Sequence, residues 1–253
     1  YNVHHFYSYL DGNSKDEAIL DFIANQKADI ICLQETKLQR EGALNPVKLK
    51  SRFPGINHCQ LAHMSQWGGP VTFSRFPIIN MGELRFEDSS NMVIYTDVVR
   101  QGDTLRIYNC HLQSFQIKPD EYSIIDSINF KKEEFLQVRK IASKLKHANI
   151  KRSVQVRKLL AHIERCPYPV VVCGDFNDTP LSYVYRKMNQ RLTDSFVESG
   201  RGVGNTYRGK LPSFRIDYIF HSPSFEASNF KRHRVAYSDH YPISSTLIFN
   251  EEE

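Results

Sequence analysis

The segment PVVVCGDFNDTP, residues 169–180, carries more structural information than any other stretch of this chain. Its first half is short, β-branched and almost uncharged, which is typical of a strand buried on both faces. Gly174 ends that run, so Asp175 and Asn177 are expected at the carboxyl end of the strand with their side chains on one face. They would form a polar site on a rigid base. An Asx turn closed by Pro180 explains the same residues without any site, and both interpretations stay open here.

The same order, a buried strand followed by a chemically capable side chain, recurs in two other places. Residues 30–33 form an apolar run that leads into Glu35. Residues 104–110 form a strand signal that leads into His111. We therefore expect Glu35 and His111 to lie at the same polar rim as Asp175.

Two further segments add ionisable residues to this rim. Residues 214–220 alternate between the two faces of a strand and place Asp217 among apolar neighbours, where a carboxylate without a partner is costly to bury. Asp239 and His240 precede the last predicted strand, near residues 245–249. The candidate site therefore contains these residues: Asn2, Glu35, His111, Asp175, Asn177, Asp217, Asp239 and His240.

This set of side chains favours one kind of chemistry. Carboxylate and amide oxygens without thiolates suit a hard cation such as Mg²⁺, which keeps several of its waters. A phosphodiester oxygen bound to such a cation becomes a better electrophile. His240 can take a proton from an attacking water if a carboxylate holds its other ring nitrogen, and Asp217 is a buried acid that needs such a partner.

The rest of the chain indicates one α/β domain over residues 1–253, with strands and helices mixed throughout and no internal repeat or linker. Residues 1–6 give a short strand signal. Ser14 and Glu17 form a capping box that predicts the first helix. Residues 115–165 are predicted helical, and a strand is predicted near residues 192–197.

Composition limits the possible classes. The chain has 253 residues, 41% hydrophobic and 24% charged, which is typical of a globular protein. Its net charge of +5 fits an anionic substrate without requiring one. The five cysteines include no CxxC pair, so neither a disulfide framework nor a zinc site is expected. No apolar run is long enough to span a bilayer.

Two features bear on the substrate but leave alternatives open. The predicted helical region is rich in cations, among them Lys144, Lys146, Lys151 and Arg152. They form either an ordinary solvated face or a basic wall beside the site. Trp67, at a Gly-Gly-Pro turn, could stack on a base, enter a lipid interface or pack on its own domain.

Six short segments occur in an order that is characteristic of one superfamily: Asn2, Gln34-Glu35, Asn109-Cys110-His111-Leu112, Gly174-Asp175-Phe176-Asn177, Arg215-Ile216-Asp217-Tyr218 and Ser238-Asp239-His240. They resemble the motifs of the endonuclease/exonuclease/phosphatase superfamily. This group includes pancreatic deoxyribonuclease, abasic-site endonucleases, neutral sphingomyelinases and inositol polyphosphate phosphatases. The resemblance implies a deoxyribonuclease I-like fold, a four-layer α/β sandwich of two mixed β-sheets packed face to face with helices outside.

The resemblance also implies a metal site. Glu35 resembles the principal metal ligand of the superfamily, with Asn2 and Asp239 nearby. The expected ion is Mg²⁺, with Mn²⁺ as an alternative.

The remaining residues resemble the catalytic group. His240 is similar to the catalytic histidine that Asp217 orients, acting either as a base or as a protonated phosphate clamp. Asp175 and Asn177 resemble the pair that positions the nucleophile and stabilises the transition state. His111 resembles the histidine that contacts phosphate.

The function implied is an Mg²⁺-dependent hydrolase of phosphate esters, weakly favoured as a nuclease. The segment 111–114 resembles the sphingomyelinase and phosphatase branch more closely, so a lipid or inositol phosphoesterase is the alternative. A binding module without catalysis is the alternative from another class. The expected partners are accordingly a nucleic acid, a phospholipid or an inositol phosphate, with the protein a monomer. Similarity to bacterial members with N-terminal membrane helices predicts a missing upstream membrane anchor, and the compartment stays open.

Overall fold

The computed structural model describes residues 1–7, 13–38, 44–62, 68–115, 132–209 and 214–250, with side chains in the long helix from residue 138 onward. Trp67 and the first part of the predicted helical region lie outside the described residues. The helices are α1 (Asp16–Gln26), α2 (Pro46–Arg52), α3 (Lys132–Ile163), α4 (Tyr183–Asn189) and α5 (Ser195–Ser199). The strands are β1 (Ile30–Thr36), β2 (His58–Leu61), β3 (Gly69–Ser74), β4 (Ile78–Arg85), β5 (Met92–Arg100), β6 (Asp103–His111), β7 (Val170–Asp175), β8 (Thr193–Asp194), β9 (Asp217–His221), β10 (Phe225–Arg232) and β11 (Ile243–Phe249).

The described strands form three sheets. The largest has the order β4-β5-β6-β7-β9-β8, and β6 runs parallel to β7 while the neighbouring pairs are antiparallel. A second sheet has the order β1-β3-β2, and β10 pairs with β11 in a third. The parallel pair places the carboxyl ends of β6 and β7 side by side, with His111 opposite Asp175. This register is what brings two of the predicted site residues to one edge.

Three apolar clusters hold these layers together. Helices α3 and α4 cover the outer face of the large sheet, with Val156 and Leu159 packed among its strands. Helices α1 and α2 cover the β1–β3 sheet, with Ile19 and Leu49 in that core. A third cluster, which includes Ile107, fills the space between the sheets. Each such side chain stabilises the fold by about 1.5–3 kcal/mol when fully buried, so the layers form a firm base for the rim.

A polar clamp also joins the two main sheets at the rim. Asn109 is fully buried, accepts a hydrogen bond from Gln34 Nε2 at 2.6 Å and donates to the carbonyl of Leu33 at 3.1 Å. A buried amide of this kind is stable only when its donors and acceptors are paired. The clamp fixes the relative position of the strand ends that carry Glu35 and His111.

Three local predictions were wrong. The first residues do not form a strand: Asn2 makes one isolated bridge, and His4–Phe6 make a turn in which all three φ angles are positive. The capping box is also wrong: the N-cap of α1 is Lys15, and the hydroxyl of Ser14 donates to Asp16 Oδ1 at 2.7 Å.

The strand predicted near residues 192–197 is also wrong beyond its first part. The Asp194 side chain accepts a hydrogen bond from Phe196 N at 3.0 Å and caps α5. Local capping therefore overrides the β-branched and aromatic composition of this stretch. Across the described residues, no helix combines the length and apolarity that a membrane crossing needs.

Candidate active site

Glu35 reaches the rim through an irregularity in β1. The register of β1 against β3 shifts between Leu33 and Thr36, and Glu35 has a φ of +53°. A bulge of this kind redirects a side chain at the end of a strand. The Glu35 carboxylate accepts a hydrogen bond from Asn2 Nδ2 at 3.0 Å, and His111 Nε2 lies 3.5 Å from Glu35 Oε1.

Residues 174–177 form a tight turn at the end of β7. Gly174 has a φ of +136°, and a Cβ there would collide with the backbone of Cys110 on β6. Asp175 Oδ1 accepts from Asn177 N at 2.8 Å, and Asp175 Oδ2 accepts from Asn177 Nδ2 at 3.1 Å. The Asx turn and the polar site are therefore the same structure, and the two interpretations do not exclude each other.

His240 and Asp217 form a buried pair. Asp217 Oδ2 lies 2.8 Å from His240 Nδ1, so this ring nitrogen carries the donated proton. His240 Nε2 faces Asp175 Oδ2 at 3.7 Å. The Oγ1 of Thr206 accepts from the backbone N–H of Asp217 at 3.1 Å and fixes the start of β9. The imidazole is thus held in one orientation with its second nitrogen directed toward the rim.

The structure brings all the predicted site residues to one rim. Asn2 Nδ2 donates to both Glu35 and Asp175, the latter at 3.1 Å, so this amide holds two carboxylates together. Asp239 lies farther along, and its Oδ1 is 3.7 Å from His4 Nδ1. The same nitrogen is 3.7 Å from Glu35 Oε2. His4 therefore links Asp239 to the rest of the cluster.

The charge states at the rim follow from burial and from close partners. Burial alone would raise the pKa of the Glu35 carboxyl, but the His4 hydrogen bond and other nearby imidazoles hold that pKa well below its ordinary value. Burial raises the pKa of Asp175, and His240 only partly opposes the effect. Burial would lower the pKa of His240, but Asp217 and Asp175 raise it well above its ordinary value. The rim thus combines an anion at Glu35 with a cation at His240 at neutral pH.

Two overlapping groups of three side chains in the described part of the chain have ligand atoms close enough to share a metal ion. One contains Glu35, His111 and Asp175, and the other contains Asp175, Asp217 and His240, all within 4.8 Å. The first group fits a divalent cation better, because the buried His111 Nε2 has no hydrogen-bond partner and points toward Glu35. In the second group, His240 Nδ1 and Asp217 Oδ2 are already paired with each other. Asn2 presents its amide nitrogen to the carboxylates, which suits a role in holding ligands.

Several residues of the site were missed by sequence reasoning. His5 Nε2 lies 3.7 Å from Glu35 Oε2, the same oxygen that His4 Nδ1 approaches. The Tyr207 ring packs edge-on against His240 at 5.5 Å between centroids. The consecutive histidines His4 and His5, which follow Asn2 after one intervening residue, were a usable signal in the sequence. Nothing local distinguishes Tyr207 from other tyrosines.

Arg152 is not part of a surface basic wall. Its side chain is fully buried, donating to Asp178 Oδ2 at 3.1 Å and to the Gln113 carbonyl at 2.8 Å. Its guanidinium also lies 4.3 Å from the Phe115 ring centre. Gln113 and Asp178 follow His111 and Asn177 in the chain, so Arg152 ties α3 to both loops that carry site residues.

Comparison with known proteins agrees with this geometry. A family model described as endonuclease/exonuclease/phosphatase family matches residues 1–240. An uncharacterized calcium-binding protein of Arabidopsis thaliana is 23% identical over 178 residues, which are 68% of this chain and 35% of that protein. The chain thus spans about a third of the length of this curated relative.

Solved structures share the fold. An endonuclease/exonuclease/phosphatase family protein from Leptotrichia buccalis superposes with a TM-score of 0.66 at 16% identity, over 98% of this chain and 97% of that one. A mannosyl-6-phosphatase from Bacteroides thetaiotaomicron superposes with a TM-score of 0.62 at 17% identity, over 92% and 90% of the two chains. These matches confirm the predicted deoxyribonuclease I-like fold. Because the family model also extends over nearly the whole chain, the protein belongs to the endonuclease/exonuclease/phosphatase family of phosphate-ester hydrolases.

Proposed function

We propose that this protein is an Mg²⁺-dependent phosphodiesterase that acts on nucleic acid. The observation that carries the proposal is the convergence of the ligand group Glu35, His111 and Asp175 with the pair formed by Asp217 and His240. A cation held by the ligand group would polarise a phosphate oxygen and neutralise its charge. The buried pair supplies a proton donor beside it.

The roles of the individual groups follow from their charge. His240 is held by Asp217 and is cationic at neutral pH, so its Nε2–H is suited to donate a hydrogen bond to a phosphate oxygen. This favours the phosphate clamp over the base. Asp175 Oδ2 lies 3.7 Å from His240 Nε2, so this carboxylate stands between the ligand group and the phosphate clamp and is suited to position the attacking water. Asn177 Nδ2 donates to Asp175 and to the Leu112 carbonyl, and so orients that carboxylate.

Two other substrate classes have specific support. The neighbour named mannosyl-6-phosphatase has the same fold, which makes a sugar phosphate a candidate. The segment after His111 resembles the sphingomyelinase and phosphatase branch, which makes a lipid or inositol phosphate another. The curated relative named as a calcium-binding protein makes Ca²⁺ an ion to test beside Mg²⁺ and Mn²⁺.

A substrate and metal panel tests the proposal. Plasmid DNA, abasic duplex, RNA, sphingomyelin liposomes, inositol phosphates and mannose 6-phosphate are incubated with the protein and Mg²⁺, Mn²⁺, Ca²⁺ or EDTA. We expect cleavage of nucleic acid with Mg²⁺ and none with EDTA. Cleavage of a lipid or a small phosphate without cleavage of any nucleic acid would overturn the nuclease assignment while retaining a hydrolase.

Glu35→Gln is the matching variant, with Glu87→Gln as its control because Glu87 is exposed and forms no hydrogen bond or ion pair with any described residue of the rim. We expect Glu35→Gln to abolish metal-dependent turnover and to remove the rise in melting temperature that Mg²⁺ produces in the wild type. Glu87→Gln should retain both. Turnover by Glu35→Gln at the wild-type rate would remove Glu35 from the metal site.

A further inference from the structure

A wide basic cleft lies beside the candidate active site. It has a volume of about 1010 Å³ and lies between the segment after α5 and the end of β10. We use the name basic cleft for the surface formed by these residues: Phe196, Ser199, residues 201–205 and residues 229–234. No carboxylate is among the lining residues, which include Arg201, Lys231, Arg232 and Arg234.

The four cations of the basic cleft have no acidic partner among the described residues, unlike buried arginines elsewhere in the fold. Within the described ranges, no carboxylate pairs with any of the four, whereas Arg106 and Arg215 pair with Asp97 and Asp194. The side chains of Arg201, Lys231 and Arg234 are exposed. A concave surface lined by cations of one sign concentrates anions from solution. The positive charge of the basic cleft is therefore not neutralised by any carboxylate in the described part of the chain.

The basic cleft is connected to the candidate active site through one short segment. Asn205 lines the cleft, where its carbonyl accepts from Arg232 Nη1 at 2.8 Å. The next residue, Thr206, accepts the backbone N–H of Asp217, and Tyr207 packs on His240. A substrate bound across this segment would touch the basic cleft and the rim together.

A second contact leads from the cleft to the same site. The Arg232 guanidinium lies 4.9 Å from the ring centre of Tyr241, the residue after His240. Arg208 lies 5.7 Å from the same ring centre, and its Nη1 donates to the Ser238 carbonyl at 3.2 Å. Cations thus continue from the basic cleft to the loop that carries the catalytic histidine.

We infer that the basic cleft binds the sugar–phosphate backbone of a polynucleotide whose scissile phosphate lies at the candidate active site. The inference rests on the proposed function and assigns the residues that hold the rest of the substrate. Lysine and arginine contacts to phosphates supply sequence-independent affinity and fix the register of the chain.

Shape favours a polynucleotide over a membrane surface. A strand can enter a concave cleft, whereas a bilayer lies flat against a protein. The two phenylalanines of the cleft, Phe196 and Phe230, are half-buried and pack edge-on against each other, with 5.3 Å between their ring centres. Val203 is exposed, but one valine does not form an apolar patch that could anchor to lipid.

The test is a binding measurement with matched charge variants. The cleft variant is Arg201→Gln/Lys231→Gln/Arg234→Gln, and the control is Arg139→Gln/Lys140→Gln/Lys146→Gln, which removes the same charge from exposed positions of α3. Binding of a fluorescein-labelled single-stranded oligonucleotide is measured in EDTA over a range of salt concentrations. We expect the cleft variant to lose roughly tenfold or more in affinity and about 2 in the log–log salt slope, since each lost phosphate contact removes about 0.7.

The remaining outcomes separate this inference from the proposed function. Turnover of bis(p-nitrophenyl) phosphate should be the same in the wild type and the cleft variant, because a small diester does not reach the cleft. If the protein hydrolyses this ester but the cleft variant binds the oligonucleotide like the wild type, the inference is wrong and the hydrolase stands. If no ester is hydrolysed but the oligonucleotide still binds through the cleft, the proposed function is wrong and the binding site stands. Cleft-dependent binding to anionic vesicles without oligonucleotide binding would overturn the inference in favour of a membrane.

Discussion

The candidate active site and the basic cleft lie side by side but differ in whether their charged side chains are buried and paired. At the rim, charged groups are buried and paired with one another, as in the contact between Asp217 and His240. In the basic cleft, Arg201, Lys231 and Arg234 are exposed and have no acidic partner in the described part of the chain. The rim is therefore organised before substrate arrives, whereas the cleft depends on a ligand to neutralise it.

The difference has an energetic basis. A buried ion pair is costly to desolvate, so its members must be fixed by several hydrogen bonds, and removing one member leaves an uncompensated charge. Exposed cations stay hydrated and cost little in the free protein, but their summed field attracts an anion. Changes at the rim should accordingly alter chemistry and stability, whereas changes in the cleft should alter binding.

The largest expected effect tests whether the rim acts as a unit. Asp217→Asn and His240→Gln should each lower kcat by roughly 10²–10⁴-fold, because each removes the oriented proton donor. The double variant should be barely slower than either single variant, since residues that act together are not additive. Steady-state kinetics of all three variants on the substrate found in the panel measures this.

A histidine–carboxylate pair outside the rim provides the control. His221 Nε2 contacts Glu198 Oε2 at 2.8 Å, and His221 is buried on the same strand as Asp217. His221→Gln should lower stability while leaving kcat unchanged. Additive rate losses at Asp217 and His240, or a comparable loss at His221, would show that the pair has no special catalytic role.

The next effect sharpens the contrast between a paired and an unpaired cation. Arg152→Met should lower the free energy of unfolding by about 3–5 kcal/mol, because it leaves Asp178 and the Gln113 carbonyl without their buried partner. Arg234→Met, in the cleft, should change it by less than about 0.5 kcal/mol, as is usual for surface positions. Denaturant unfolding of both variants checks this. An equal loss of unfolding free energy in the two variants would show that the buried ion pair of Arg152 does not stabilise the fold.

A smaller effect tests the rigid turn beneath Asp175. Gly174→Ala should lower the free energy of unfolding by about 2–4 kcal/mol. The new Cβ would collide with the backbone of Cys110, and the alanine would have to adopt a φ of +136°. At Gly102, φ is +98° and the space around a new Cβ is open. Gly102→Ala should therefore lower the free energy of unfolding only by the strain of the positive φ, about 1–2 kcal/mol. Thermal and denaturant unfolding measure the difference. A cost at Gly174 no larger than at Gly102 would mean that β6 adjusts and that the rim is softer than proposed.

The smallest effect concerns the surface of α3. Arg139→Gln/Lys140→Gln/Lys146→Gln should change the free energy of unfolding by no more than about 0.5 kcal/mol, because all three side chains are exposed. Melting curves check the stability and the oligonucleotide assay checks the affinity. An affinity loss equal to that of the cleft variant would place the binding surface on α3, which is the basic wall that the sequence also allowed.

Much of the fold could be predicted because the signal is local. The runs at residues 30–33 and 169–173 are short and β-branched, so β1 and β7 were recognised from composition and period. The helix over α3 follows from an apolar stripe at helical spacing. Residues 195–197 were mispredicted as strand because the Asp194 side chain accepts a capping hydrogen bond from Phe196 N, which outweighs the strand propensity of the stretch.

Most residues of the candidate site could be predicted from the sequence, but their spatial arrangement could not. Glu35, His111, Asp175 and Asp217 lie at strand ends, so the sequence predicted that they would converge, although Glu35 belongs to a different sheet from the other three and Asn2 lies outside any strand. The role of His4 was missed because it depends on a turn with positive φ angles, which its sequence does not indicate. The burial of Arg152 was missed because its partners, Gln113 and Asp178, lie 39 and 26 residues away in the chain.

The amino-acid sequence alone therefore indicates the family, several of the strands and helices, among them β1, β7 and α3, and which ionisable side chains belong to the rim. Those properties depend on short-range periodicity and on motif order, which are written directly in the chain. The tertiary structure is needed to tell a buried, paired cation such as Arg152 from an exposed, unpaired one such as Arg201. The sequence does not show which acidic group lies beside which cation, because such partners are far apart in the chain. The division between a preorganised rim and an open basic cleft therefore arises only from long-range contacts.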